Sequence, residues 1–233
     1  MQFLNSWAWR KLYIPPHKTA QRNVVVHVER LKLSPYHGEI DWSKYRRNPT
    51  VFITGDGQSM IEDTKEFESW GIPHDLYAVN RSLVYHQRQV DHWAAIDLEE
   101  SIWFAENITE AQERDRRVVR HTIGYCPTAY DIGWEMDYPF ENDYQRRVWA
   151  GNSGYFAILT ALHMGYEKII IGGMGLRAEP HWYEHKDAEG PRWAGIVYTQ
   201  WMDFKTLVPE AEKCRSMSGY SAFILGKADK EWV

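Results

Sequence analysis

The stretch Glu179-Pro-His-Trp-Tyr-Glu-His-Lys-Asp187 holds the densest set of titratable side chains in this chain. His181 and His185 stand four residues apart, so on a helical turn they share one face, with Glu184 beside them. Two chemistries suit that spacing. Two imidazoles at that spacing could hold a divalent metal, although only one supporting acid is local and no further ligand is identifiable. Alternatively, one imidazole serves as general base, because histidine exchanges protons near neutrality and can take one from an attacking hydroxyl. An ordinary solvated loop uses the same residues. Tyr183 and Tyr198 offer hydroxyls to a phosphate or simply pack, and Arg81, Arg88 and Lys186 are cations able to neutralise one. Asp97, at the end of an apolar run, suits a ribose hydroxyl, a divalent metal or a helix cap. His86, His92 and His121 stand among Trp, Val and Tyr and read as structural. The run Glu113-Arg-Asp-Arg-Arg117 is mixed in sign, as on a solvated face.

These residues need a frame, and the frame starts at Val51-Phe-Ile-Thr-Gly-Asp-Gly-Gln-Ser-Met60. Val51 to Thr54 is β-branched or aromatic and predicts a buried strand. Gly55 and Gly57 permit a turn with positive φ and close backbone approach to a ligand. Ser59 with Glu62 forms a capping box that predicts a helix from Met60 to about Trp70, closed by Gly71 and Pro73. A strand, glycine turn and capped helix make an anion site, because amides and the helix dipole face what lies over the turn. The stretch lacks the Lys of a P-loop and the full GxGxxG fingerprint, so a plain β-α turn is the competing reading.

Further strands are expected at Asp75–Asn80, His92–Asp97 and Val118–Thr122, with a helix from Leu98. Gly124 to Gln145 reads as a long irregular excursion. Gly151-Asn-Ser-Gly-Tyr-Phe-Ala157 opens a second strong unit. Asn152 or Ser153 caps a helix that Gly165 stops, and Lys168–Ile171 is a buried strand ending in Gly172-Gly-Met-Gly175. Ile196–Leu207 reads as a helix and Ser221–Leu225 as the last strand. Alternating strands and helices predict an α/β fold: a Rossmann-like three-layer sandwich with a mostly parallel sheet. In such sheets ligands bind beyond the carboxyl ends of the strands. That rule gathers Gly55 to Ser59, Asn80 to Ser82, Asp97, Asn152 and Ser153, and Gly172 to Gly175 at one crevice. Residues 1–48 differ: Trp7, Trp9, Tyr13, Pro15 and Pro16 suggest an irregular aromatic extension, Asn23–Leu33 holds a strand-like run, and Ser34–Gly38 a turn. The extension is followed by one nucleotide-binding domain over 49–233, and an aromatic contact between subunits is one use for it.

Of 233 residues, 44% are hydrophobic and 25% charged, as in a soluble globular domain. Net charge −5 argues against a broad nucleic-acid footprint. No apolar run reaches membrane-spanning length. Cys126 and Cys214 lack metal-ligand spacing and fit reduced thiols in the cytoplasm, and the first residues turn polar too soon for a signal peptide.

Val51–Ser59 followed by Leu76-Tyr-Ala-Val-Asn-Arg-Ser82 resembles the start of the family 42 bacterial sialyltransferases and the related 6-hydroxymethylpterin diphosphokinase-like proteins. Gly151–Ala157, running through Gly165-Tyr-Glu-Lys-Ile-Ile-Ile-Gly-Gly173, is similar to their second block. The resemblance covers roughly Val51 to Leu176, with an echo at Ser216–Gly219. It implies a Rossmann-like fold that takes a cytidine-type nucleotide-sugar donor. Gly55, Asp56, Gly57, Gln58, Ser59, Asn80, Arg81, Asn152, Ser153, Gly154, Gly173 and Tyr183 would lie at the nucleotide, and His185 or His181 would be the base. Asp56 replaces the family's Asn, Gln58 its Pro, and Gly175 a common Asp. The expected activity is transfer from the donor to an unknown hydroxyl acceptor. Alternatives are Mg2+-dependent diphosphate transfer from ATP to a pterin-like alcohol, and nucleotide binding without catalysis.

Overall fold

The computed structural model of the protein describes residues 32–35, 40–96, 118–123, 132–137, 152–176, 180–184 and 194–233. His185, Lys186, Asp97, Cys126, the helix from Leu98, the run 113–117 and the aromatic lead-in lie outside the described residues.

Among the described residues, eight strands form one sheet: β1 (Lys32–Pro35), β2 (Thr50–Thr54), β3 (Asp75–Val79), β4 (His92–Ala94), β5 (Val119–Ile123), β6 (Ile132–Asp137), β7 (Lys168–Gly172) and β8 (Cys214–Ser216). Their order is β1-β6-β5-β4-β3-β2-β7-β8. β1 runs antiparallel to β6, and the remaining pairings are parallel. The α-helices among the described residues are α1 (Met60–Ser69), α2 (Ser82–Tyr85), α3 (Ser153–His163), α4 (Ala194–Leu207) and α5 (Gly219–Leu225).

The central strands are continuous apolar runs because both faces of the sheet are covered. Val51, Ile53, Tyr77, Val79, Ile169 and Ile171 point into one core with Tyr155, Ala157 and Ala161 of α3 and Trp201 and Phe204 of α4. Their neighbours Phe52, Leu76, Ala78 and Ile170 point into the other, where α1 contributes Phe67 and the C-terminal stretch contributes Ala228 and, partly buried, Trp232. Period-two alternation thus divides one apolar run between two cores, and the architecture is the expected three-layer α/β arrangement. Among the described residues, no helix is long and apolar enough to cross a membrane.

Four local expectations are corrected. Ser221–Leu225 is not a strand but lies in helix α5: Ser221, Ile224 and Leu225 are buried while Tyr220 and Phe223 are exposed. A five-residue apolar run has no periodicity long enough to separate the two states. The last strand is instead Cys214–Ser216, paired with β7. Within the expected excursion, Ile132–Asp137 is strand β6, because Ile132 and Trp134 have a core to enter. Ser34 and Pro35 belong to β1 rather than to a turn, with β1 at the sheet margin where a proline is tolerated. Finally, α1 begins at Met60 as expected, yet Ser59 makes no side-chain cap; its hydroxyl donates to Asp63 Oδ2 at 2.9 Å.

Candidate functional site

From β2 the sheet is built outward through β3, β4, β5 and β6, and β7 then returns to the other side of β2. The order reverses between β2 and β7, which is where open parallel sheets bind ligands, beyond the strands' carboxyl ends. Both glycine blocks lie there. A Cβ on Gly55 would come within 2.5 Å of Met174 Cγ, and one on Gly154 within 2.7 Å of Met174 Sδ. Segments a hundred positions apart in sequence therefore converge on Met174, which lies between them.

The amides of Gly55 and Gly57 are engaged within the fold. Gly55 N donates to Gly172 O at 2.9 Å and Gly57 N to Gly173 O at 2.7 Å, extending the β2–β7 pairing past the strand ends. Neither Gly55 nor Gly57 takes the expected positive φ; the close approach explains the residue type, since a Cβ on Gly57 would lie 2.7 Å from Gly173 O. At Gly173 the backbone is left-handed, φ 67°, a conformation that favours glycine.

The loop after β7 returns over this turn. Gly57 and His181 form an antiparallel bridge, and Trp182 N donates to Asp56 O at 2.9 Å. His181 Nδ1 lies 3.0 Å from Glu184 Oε2, which also accepts the His181 backbone N–H at 2.7 Å. That backbone hydrogen bond leads the causes that hold the Glu184 carboxyl below its usual range. In the neutral imidazole, with Nδ1–H given to the carboxylate, Nε2 keeps its lone pair. The His181 ring stacks on Tyr183 at 5.2 Å, and the Arg81 guanidinium lies 4.8 Å from the Tyr183 ring centre. Trp182 meets Tyr85 of α2 edge-on at 5.8 Å.

Asp56 is nearly buried and its Oδ2 accepts from Arg81 N at 3.2 Å. Asn80 sits at φ 51° at the end of β3, a left-handed position that Asn tolerates better than most residues. Its amide donates to Ala94 O at 2.9 Å and its carbonyl accepts from Trp93 Nε1 at 2.8 Å. Its side-chain Oδ1 is buried with no partner among the described residues. Gln58 and Ser59 are half-buried beside the turn. Asn152 caps α3, accepting from Gly154 N at 2.8 Å and Tyr155 N at 3.1 Å, and Ser153 Oγ accepts from Ile96 N at 3.3 Å at the end of β4.

The expected residues described by the structure thus lie along the carboxyl edge, most of them bonded to one another. One candidate lies elsewhere: Arg88 is held by His74, its Nη1 2.7 Å from His74 Nε2. Tyr198 packs edge-on to Tyr220 at 5.9 Å, and Tyr220 N donates to Gly175 O at 2.9 Å. Asp63 was not anticipated. Its Oδ2 accepts from Gly173 N, Ser59 Oγ and Ser218 Oγ at 2.8–2.9 Å, and burial raises its carboxyl pKa. The signal was available as the four-residue spacing from Ser59 to Asp63, which the capping-box reading of Ser59 and Glu62 obscured. Among the described residues, no three His, Cys, Asp or Glu side chains come together to hold a metal. No family model, no curated protein and no solved structure matches the chain.

Proposed function

We propose that the protein is a nucleotide-dependent transferase of the glycosyltransferase kind, taking a nucleotide-sugar donor, of cytidine type, at the carboxyl edge between β2 and β7. The observation that carries this reading is the His181–Glu184 pair, 3.0 Å apart and bridged through the His181 backbone to Gly57. An imidazole whose Nδ1–H is held by a carboxylate presents Nε2 as a base, the arrangement that deprotonates an acceptor hydroxyl. The hydroxyl oxygen would form the new bond to the sugar carbon as the bond to the nucleotide phosphate breaks, and Nε2 would keep the proton. Arg81, stacked over Tyr183, supplies positive charge at this edge. It suits the donor's phosphates better than the Gly55 and Gly57 amides, which already donate to Gly172 and Gly173.

The test is a thermal-shift panel of cytidine, uridine, guanosine and adenosine nucleotides, followed by turnover with the donor that binds. His181→Ala is expected to lower turnover by about a hundredfold or more while leaving nucleotide affinity nearly unchanged. Unaltered turnover would remove His181 from the chemistry. Asp56 and Gly175, which stand where the resembled family carries Asn and commonly Asp, favour a second reading, a nucleotide-binding protein without catalysis. Binding with no transfer to any hydroxyl acceptor would select it, and a chain indifferent to every nucleotide would exclude both.

A further inference from the structure

His92 of β4 and His121 of β5 are fully buried side by side, His92 Nδ1 lying 3.1 Å from His121 Nε2. Their proton positions follow from their partners. An indole nitrogen only donates, so Trp134 Nε1 at 3.0 Å makes His121 Nδ1 an acceptor. The His121 proton then sits on Nε2 and is donated to His92 Nδ1, which puts the His92 proton on Nε2. That proton goes to Tyr166 Oη at 3.0 Å, and Tyr166 donates in turn to Asp75 Oδ2 at 2.7 Å. Five side chains form a one-way row of donors from β6 to β3. Neither imidazole has a ring nitrogen left for a second proton. Because the row starts at an indole, which has no acceptor, it conducts no protons and acts as a fastener.

We propose that this row is an acid-released latch: a proton on either imidazole sets two donors face to face, at Trp134 or between the rings, and unfastens β4, β5 and β6. Neighbouring groups do little to stabilise such a proton. From β3 come Asp75 and the neutral Tyr77, whose ring lies 5.3 Å from His92 and 5.4 Å from His121. Asp75 already accepts from Arg47 N at 2.8 Å and Asn48 Nδ2 at 2.7 Å. Asp91, next to His92, pairs with Arg47 at 3.4 Å, and that cation repels a charge on His92. The backbone of Tyr45 favours the charged form of His92. From α3, His163 lies edge-on to Trp134 at 5.1 Å.

Burial prevails over the pull of Asp75 and holds His92 down to about 4; burial and its neighbour His92 hold His121 well below its ordinary value. Unfolded imidazoles take up protons near pH 6.5, so the latch contributes fully above that pH and loses strength as pH falls toward the folded values. Each proton refused costs about tenfold in the folding equilibrium per pH unit, about a hundredfold for the pair. His74 and His163, also lowered by burial, act in the same direction. Asp63 and Asp91, raised by burial, act oppositely: their contribution is present at low pH and is lost as pH rises through their folded values.

The experiment follows urea unfolding of the full chain between about pH 7 and about pH 5, with side-chain NMR of the imidazoles. Stability is expected to fall with acid, both imidazoles staying neutral in the folded protein across that range. His121→Gln keeps an acceptor for Trp134 and a donor for His92 without titrating, so its stability should fall about tenfold less per pH unit. An identical pH slope in the variant would overturn the latch, as would either folded imidazole titrating above about pH 6. Should the variant fail to fold, the imidazole titration of the unaltered protein decides alone.

Discussion

Asp63 collects donors from three segments on a single oxygen: the loop after β7 through Gly173 N, the turn after β2 through Ser59 Oγ, and the approach to α5 through Ser218 Oγ. Ser218 Oγ also lies 3.0 Å from Ser59 Oγ, so the two hydroxyls, each giving its one proton to Asp63, and the carboxylate form a closed cluster. Removing the acceptor leaves a buried amide unpaired, which costs more than the net worth of the bonds themselves. Asp63→Ala is therefore expected to lose about 3 kcal/mol in urea unfolding. Asp63→Asn, which keeps an oxygen acceptor, should lose less than half as much. Equal losses in the two variants would mean that the donors are not what holds these loops. The residue matters to the candidate site because the loop it anchors, through Gly173 and Met174, lies between the two glycine blocks.

At the scale of elements, α3 shows how a cap positions the sheet's carboxyl edge. Asn152 takes two of the helix's first amides, and Ser153 accepts from Ile96 at the end of β4. Asn152→Ala should cost about 1 kcal/mol, read from thermal unfolding, and Asn152→Asp much less; a neutral alanine would show that the cap contributes nothing. This helix was legible because Asn152, the small residues after it and Gly165 are local signals, as were Val51–Thr54 with their glycines. The signals failed where the deciding contact was remote. Ser221–Leu225 became a helix because of the core it faces, and Ile132–Asp137 became a strand because Trp134 reaches His121. The sequence pointed to the shared edge of Gly55, Asn80, Ser153 and Gly173, since strand ends are readable. Which amides remain available there is not, because the register of β2 on β7 decides it. The pairing of His92 with His121 likewise depends on the β4–β5 register, in which Ala94 stands opposite His121.

For the whole molecule, Cys214 offers a reporter. It is fully buried in β8, and burial pushes its thiol up to about 12. The nucleophile is the thiolate, so near neutral pH the folded protein should resist alkylation at this position. Labelling of the peptide carrying Cys214 is expected to rise in step with urea unfolding followed by fluorescence; rapid labelling without denaturant would show that this margin opens by itself. The same margin has another property. Ser216 N donates to Gly226 O at 3.0 Å and Ala228 N to Ser216 O at 2.9 Å, so the chain's own returning segment occupies the outer side of β8. A strand from a second molecule cannot dock beyond β8 without first peeling that segment away, and peeling it would also pull Ala228 and Trp232 out of their apolar contacts. The fold thus carries a guard against intermolecular strand addition, and self-association by that route is blocked on this side while the returning segment stays in place.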